Sequence, residues 1–275
     1  MKDVFNSGYI GSTTREELAD IFLLGCPLDA TSSFRGGTKF APESIRRASW
    51  TLETYSPYLK KDLDEMMFYD AGNLELRPGD LAYSLELIES SVTEIVAKGK
   101  KILVLGGEHL LTYPVLKAMK RHFREIQVVH FDAHCDLRDE YEGQKLSHAT
   151  VMKRVKELGG SEMFQIGVRS GTKREFEELV PIESPASLAA RLNRNMPVYV
   201  SFDMDVFDPS LAAGVTTPEP GGLMFKEVMQ YFSVLVGMNI IGGDIVELAP
   251  DYDTTLVSSI SASKVAREML MLLHA

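Results

Sequence analysis

VVHFDAHCDL, residues 128–137, carries an apolar run into three ionisable side chains on alternate positions, Asp132, His134 and Asp136. Successive side chains of an extended chain point to opposite faces, so these three share one face while Ala133 and Cys135 take the other. The preceding run is rich in Val and Phe, which marks a buried strand, and the polar residues arrive where that strand ends. Two carboxylates and an imidazole crowded against a core are costly unless something satisfies them, and a cation is the simplest candidate.

Similar apolar runs recur at 20–25, 66–69, 101–105, 163–168, 197–202 and 240–246. Between several of them the apolar spacing is helical, at 41–49, 80–98, 110–123, 148–158, 224–236 and 254–273. In the second of these segments Asp80 is placed to cap the start and Gly99 to end it. Strand and helix in repeated alternation predict an α/β fold with a mainly parallel sheet covered by helices on both faces. A length of 275 residues with 45% apolar content supports a single domain over 1–275.

Composition narrows the partners. A formal charge of −10 disfavours nucleic acid and anionic membrane, both of which call for a basic face, and favours a small cationic ligand. Cys26 and Cys135 are the only cysteines and form no CxxC pair, so neither a disulfide framework nor a cysteine zinc site is expected. The first twenty residues lack the apolar core of a signal peptide and no run of 18 apolar residues occurs, which predicts a soluble, cytoplasmic protein.

In an open parallel sheet, ligands gather at the carboxyl ends of strands. The 101–105 strand runs into Gly106-Gly107-Glu108-His109, the 126–131 strand delivers Asp132, His134 and Asp136, and the 197–202 strand delivers Asp203 and Asp205. Four carboxylates meeting there repel, each close pair by roughly 4 kcal/mol at an effective dielectric of 20, and two divalent cations would cancel them. Carboxylates with two imidazoles and no thiolate suit a harder ion such as Mn²⁺ better than structural Zn²⁺, so two Mn²⁺ per subunit are expected. His122 and His274 are expected at the surface, His130 as a hydrogen-bonded residue of the strand, and Cys135 in packing.

These segments resemble the ureohydrolase family of arginases, agmatinases and related guanidino-hydrolases. GGEH at 106–109, FDAHCD at 131–136, SFDMDVFDP at 201–209 and DIVELAP at 244–250 match its motifs in order, joined by SSFRGGTKFAPESIR at 32–46 and GVTTPEPGGL at 214–223. The resemblance implies an arginase-like three-layer α/β/α sandwich assembled as a homo-trimer or homo-hexamer. It implies that Asp132 and Asp203 bridge the two ions, with His109 and Asp136 completing one and His134 and Asp205 the other.

The chemistry accounts for that equipment. A guanidinium carbon is a poor electrophile, and two metals sharing one water lower its pKa from 15.7 to about 7. Asp136 is then expected to carry a proton to the departing amine, with His148 exchanging protons with solvent. Glu247, after another strand, is the expected anchor for the substrate guanidinium. Asp139, Glu140 and Glu142, between the DxHxD motif and His148, are expected to attract a distal ammonium, and TPEPGGL resembles agmatinases in particular. The expected reaction is agmatine to putrescine and urea. The alternatives are N-aminopropyl-agmatine, arginine or guanidinobutyrate as substrate, or a metal-dependent deacetylase, which would use one zinc and fewer ligands.

Overall fold

The computed structural model describes residues 8–274. Residues 1–7 and 275, the ends of the expected single domain and part of the segment expected to lack a leader, lie outside the described residues.

The chain builds β1 (Ile21–Cys26), α1 (Ala41–Ser49), a small antiparallel hairpin of β2 (Tyr55–Ser56) and β3 (Lys61–Asp62), and then β4 (Phe68–Asn73). It continues through α2 (Leu81–Ala97), β5 (Lys101–Gly106), α3 (Thr112–Met119), β6 (Ile126–Phe131), α4 (Val151–Glu157) and β7 (Ser161–Ile166). The short helices α5 (Lys173–Glu178) and α6 (Pro185–Arg191) precede β8 (Val198–Asp203), α7 (Phe225–Leu235), β9 (Ile240–Val246) and α8 (Val257–Leu273). Seven strands form one sheet in the order β4-β1-β5-β9-β8-β6-β7, and every pairing is parallel.

Alternation within each strand divides the core into two layers. Leu103, Val129, Val200 and Ile245 face α1, α7 and α8, and their neighbours Ile102, Val104, Val128 and Tyr199 face α2, α3 and α4. Helices therefore cover both faces, which gives the three-layer sandwich. Asp80 caps α2 by accepting a hydrogen bond from the Tyr83 amide at 3.0 Å, and Gly99, at φ +73°, closes the turn beyond its end.

The expected segments shift at their ends. The segments expected as helices from 110 and 148 each begin with a tight turn, His109–Leu111 and His148–Thr150, before the α-helix starts. α5 and α6 had no counterpart among the expected helices, because six and seven residues are too few to show a periodic apolar face. Each nevertheless starts with a capping box, Thr172 with Glu175 and Ser184 with Ser187.

The late strands β8 and β9 enter between β5 and β6, so β5, β9, β8 and β6 lie side by side at the centre of the sheet. Phe202 pairs with both Phe131 and Ile245, and Leu105 also pairs with Ile245, which brings the four carboxyl ends level. Gly107 makes that convergence possible. Its carbonyl accepts from the Glu247 amide at 2.9 Å, the Glu108 amide reaches the Leu28 carbonyl at 2.8 Å, and a Cβ on Gly107 would lie 1.9 Å from that carbonyl oxygen. Gly107→Ala is thus expected to force the β1 and β5 ends apart and to cost about 1–3 kcal/mol or more, read as a lower midpoint in thermal unfolding.

Candidate metal centre and active site

Three of the four central strands, β5, β6 and β8, deliver the six expected ligands to one buried cluster. His109 Nδ1 lies 3.2 Å from Asp132 Oδ2, 3.3 Å from Asp136 Oδ2 and 3.1 Å from Asp203 Oδ2. His134 Nδ1 lies 2.9 Å from Asp205 Oδ2 and 3.5 Å from Asp132 Oδ1. The loop amides hold the carboxylates in place: Ala133 donates to Asp205 at 3.0 Å, His134 to Asp132 at 2.5 Å, and Asp205 to Asp203 at 2.8 Å.

Hydrogen-bond direction decides which nitrogen of His109 faces the cluster. Asp244, buried, accepts from Thr112, Tyr199 and Ser201, so the single Ser201 proton is committed to it at 2.8 Å. Ser201 Oγ, 3.0 Å from His109 Nε2, must then accept from an Nε2–H. That leaves Nδ1 with its lone pair directed at three carboxylate oxygens, buried and without a hydrogen-bond partner. Such an arrangement calls for positive charge between the groups.

The acidities report the same demand. Burial opposes charge on His109, yet Asp132, Asp136 and Asp203 outweigh it and raise its pKa well above the ordinary imidazole range. For His134, burial is likewise outweighed by Asp205 and Asp132 and the pKa rises. Burial and the repulsion of Asp205 and Asp132 push Asp203 well up, and burial with Asp132 raises Asp136. Asp132 moves the other way: burial would raise it, but the surrounding His130, His109 and His134 hold it well below the usual carboxylate range.

His130 sits close enough to count among possible donors with His109 and Asp132. Both its nitrogens are engaged. The Gln165 amide nitrogen donates to Nδ1 at 3.0 Å and to the Cys135 carbonyl at 2.9 Å, so Nε2 carries the proton and donates to Asp132 Oδ2 at 2.8 Å. His130 is therefore a strand residue that orients a carboxylate, as expected. Cys135 packs against Leu137, Val151 and Met152, and burial, Glu175 and Asp136 push its thiol up to about 12. The donors left for an ion are imidazoles and carboxylates, which fit a hard or borderline divalent cation.

The cluster forms one wall of a cavity of about 240 Å³, whose lining also includes His148, Glu247, Tyr141, Arg138 and Glu175. Glu247 Oε1 accepts from the His109 amide at 2.6 Å and Oε2 from the Thr216 hydroxyl. Burial pushes Glu247 up to about 7, against the pull of His148, Thr216 and His109. Asp136 and Glu247 both adopt left-handed backbone, at φ 54° and 64°. The carbonyl of Asp136 is held by the first amides of α4, Met152 at 3.0 Å and Lys153 at 3.2 Å.

The acidic loop departs from expectation. Asp139 turns outward to Lys153 and Arg174, Glu142 is exposed, Glu140 lines a separate surface hollow, and none of the three borders the cavity. Their place is taken by Glu175 at the start of α5, which accepts from the Leu137 amide at 3.1 Å and lies 3.6 Å from Arg138. The capping-box spacing of Thr172 and Glu175 was the only trace of this residue in the sequence. Arg169 also escaped the motifs. It donates to the carbonyls of Gly167, Asp205, Val206, Phe207, Glu219 and Pro220, binding the loop that carries Asp205 to the TPEPGGL segment.

With this geometry in place, comparison with known proteins is informative. The profile of the Arginase family matches residues 19–272. Over 280 residues the chain is 41% identical to the agmatinase of Bacillus subtilis (strain 168), covering 96% of this chain and 95% of that protein. The agmatine ureohydrolase of Thermoplasma volcanium superposes with a TM-score of 0.87 at 31% identity, covering 98% of this chain and 94% of that one. Proclavaminate amidino hydrolase from Streptomyces clavuligerus gives a TM-score of 0.85 at 27% identity, over 93% of this chain and 92% of that one.

These likenesses span the sheet and its cavity alike, and the class they define is that of hydrolases. The chain belongs to the Arginase family, as an agmatinase-like ureohydrolase.

Ser201→Ala removes the acceptor that orients His109 without touching a carboxylate of the cluster. It is expected to weaken divalent-cation affinity about 10–100-fold with the fold retained, measured by calorimetric titration of chelator-treated protein with Mn²⁺.

Proposed function

We propose that the chain, as one catalytic domain over 1–275, hydrolyses agmatine to putrescine and urea at a site holding two Mn²⁺. The observation that carries the metal reading is the lone pair of His109 Nδ1, buried without a partner among Asp132, Asp136 and Asp203. Asp132 and Asp203 would be shared by both ions, His109 and Asp136 would complete one set, and His134 and Asp205 the other. When bound, the pair supplies the Lewis acidity that makes water a nucleophile near neutral pH.

The chain's own groups do the rest. Each Glu247 oxygen is fixed by one donor and keeps a second lone pair, so the carboxylate is set to take a planar guanidinium through two parallel hydrogen bonds. Burial excludes the water that would compete for those bonds. Asp136 moves a proton from the attacking water to the departing amine, and His148, at the cavity wall, exchanges protons with solvent. The balance is one water and one alkylguanidinium giving urea and an alkylammonium.

Agmatine is favoured because, with Asp136, Asp203 and Asp205 committed to the ions and Glu247 to the guanidinium, Glu175 remains in the lining to offset Arg138 and leaves no unpaired guanidinium there for a substrate carboxylate. The named agmatinase of Bacillus subtilis supports the same choice. Arg138 is the one feature that favours a guanidino acid instead, but it is already engaged by Glu175 at 3.6 Å and stacks on Tyr141 with its guanidinium carbon 4.8 Å from the ring centroid. Among the described residues no helix is long and apolar enough to cross a membrane. We place the enzyme in the cytoplasm, as a homo-trimer or homo-hexamer acting on a small cationic substrate.

The test is urea release with Mn²⁺ across agmatine, arginine, N-aminopropyl-agmatine and guanidinobutyrate, with agmatine expected to give the highest kcat/KM. Urea from none of them would remove the proposal. Asp132→Asn is expected to abolish turnover and loosen both metals, read by metal analysis beside the urea assay. Glu247→Gln is expected to leave metal content unchanged and lower kcat/KM about 100-fold, in keeping with roughly 1.5–3 kcal/mol per hydrogen bond to a charged group.

A further inference from the structure

Thr31, in the loop after β1, has no part in the chemistry described so far, yet it touches two groups that matter. Its hydroxyl lies 2.8 Å from Glu108 Oε1 and 3.3 Å from His148 Nδ1, and it also accepts the His148 backbone amide at 3.0 Å. Glu108 is fully buried, and its other oxygen accepts the Ala30 and Thr31 amides at 2.6 and 2.7 Å.

A threonine hydroxyl has one proton, and an ionised carboxylate can only accept. The proton of Thr31 is thus spent on Glu108, the shorter contact and the charge-assisted one. What Thr31 offers His148 is a lone pair. For Nδ1 to use it, Nδ1 must carry the proton, and Nε2 is left without one. Nε2 points the other way, towards Ser33 Oγ at 3.4 Å, and Ser33 and His148 both border the cavity. Ser147 Oγ, also 3.3 Å from Nδ1, has an uncommitted proton and so sets no tautomer, which leaves the direction to Thr31, and the edge-to-face contact with Tyr141, with ring centroids 5.5 Å apart, limits rotation of the imidazole.

We propose that the Glu108–Thr31 pair is a positioning device that holds neutral His148 in its Nδ1–H form, so that Nε2 is the nitrogen that takes and releases protons in the cavity. The inference deepens the reading of His148 as the proton carrier of the hydrolase. The geometry repeats the Asp244–Ser201–His109 arrangement, in which a buried carboxylate consumes a hydroxyl proton and thereby sets an imidazole.

The tautomer can be read directly from ring ¹⁵N chemical shifts in histidine-labelled full-length protein loaded with a diamagnetic divalent cation. The chain has six histidines, and His148→Asn identifies the resonance by its loss. At a pH where the ring is neutral, Nδ1–H is expected in the parent chain and in Thr31→Ser. Thr31→Val should lose the preference. Glu108→Gln should reverse it, because its amide can donate to Thr31 and free that hydroxyl proton for Nδ1.

In the urea assay Thr31→Val is expected to lower kcat about tenfold with KM little changed, and Thr31→Ser to restore it. An Nε2–H ring in the parent chain, or a tautomer unmoved by both Thr31→Val and Glu108→Gln, overturns the proposal whatever the urea assay gives. Absence of urea from every substrate, with the expected tautomers present, would instead remove the hydrolase reading and leave the positioning intact.

Discussion

Mutual repulsion among Asp132, Asp136, Asp203 and Asp205 is the constraint on which the rest of the site depends. All four are buried, and at an effective dielectric of 20 each close pair costs roughly 4 kcal/mol. No single element bears that cost. The carboxylates come from the ends of β6 and β8, adjacent strands at the centre of the sheet, with His109 delivered from β5 and separated from them by β9. Parallel register keeps these ends level, and the absence of a side chain at Gly107 lets the ends of β1, β5 and β9 meet.

Around the cluster, polar direction is set by one device used more than once. A hydroxyl or amide whose protons are already committed can present only its remaining capacity to an imidazole. Asp244 takes the proton of Ser201, so Ser201 accepts from His109. The Gln165 amide gives one hydrogen to a carbonyl and one to His130, so His130 donates to Asp132. These networks are buried and nearly fully satisfied, the condition under which polar groups specify one arrangement of a core rather than several. The unsatisfied atom among them, His109 Nδ1, lies where the carboxylates converge.

Much of this was legible because the chemistry is carried by strand ends. An apolar run ending in Asp132, His134 and Asp136 announces a strand and the end at which polar residues collect, as Asp203 and Asp205 do again. The shared face expected from alternation is not what gathers them: β6 stops at Phe131, Asp136 turns left-handed and Asp205 lies in a tight turn. The seven strands of the sheet follow from the recurring short apolar runs. What could not be read came from segments that meet only in space. Nothing near Thr31 in the chain points to His148, 117 positions away. Arg169 looks like an ordinary loop arginine until six carbonyls are seen around it. Asp139, Glu140 and Glu142 misled for the same reason: loop composition carries charge but not direction, and the loop turns these side chains outward while Arg138 and Glu175 turn in.

Asp136 and Glu247 are among only five non-glycine residues with positive φ among the described residues, a conformation that costs on the order of 1–2 kcal/mol for a side chain with a Cβ. Both positions are tied down by their own backbone bonds: Asp136 through the first amides of α4, Glu247 through Gly107 on one side and the Thr216 amide on the other. Left-handed backbone breaks the alternation that an extended chain would keep, directly after β9 at Glu247 and in the loop beyond β6 at Asp136. Strain of this kind persists only where surrounding structure over-determines it. Here the over-determination is supplied by α4, by Gly107 just beyond β5 and by the GVTTPEPGGL segment at 214–223, the last held in turn by Arg169, so backbone outside the cluster fixes the two carboxylates that would face the substrate.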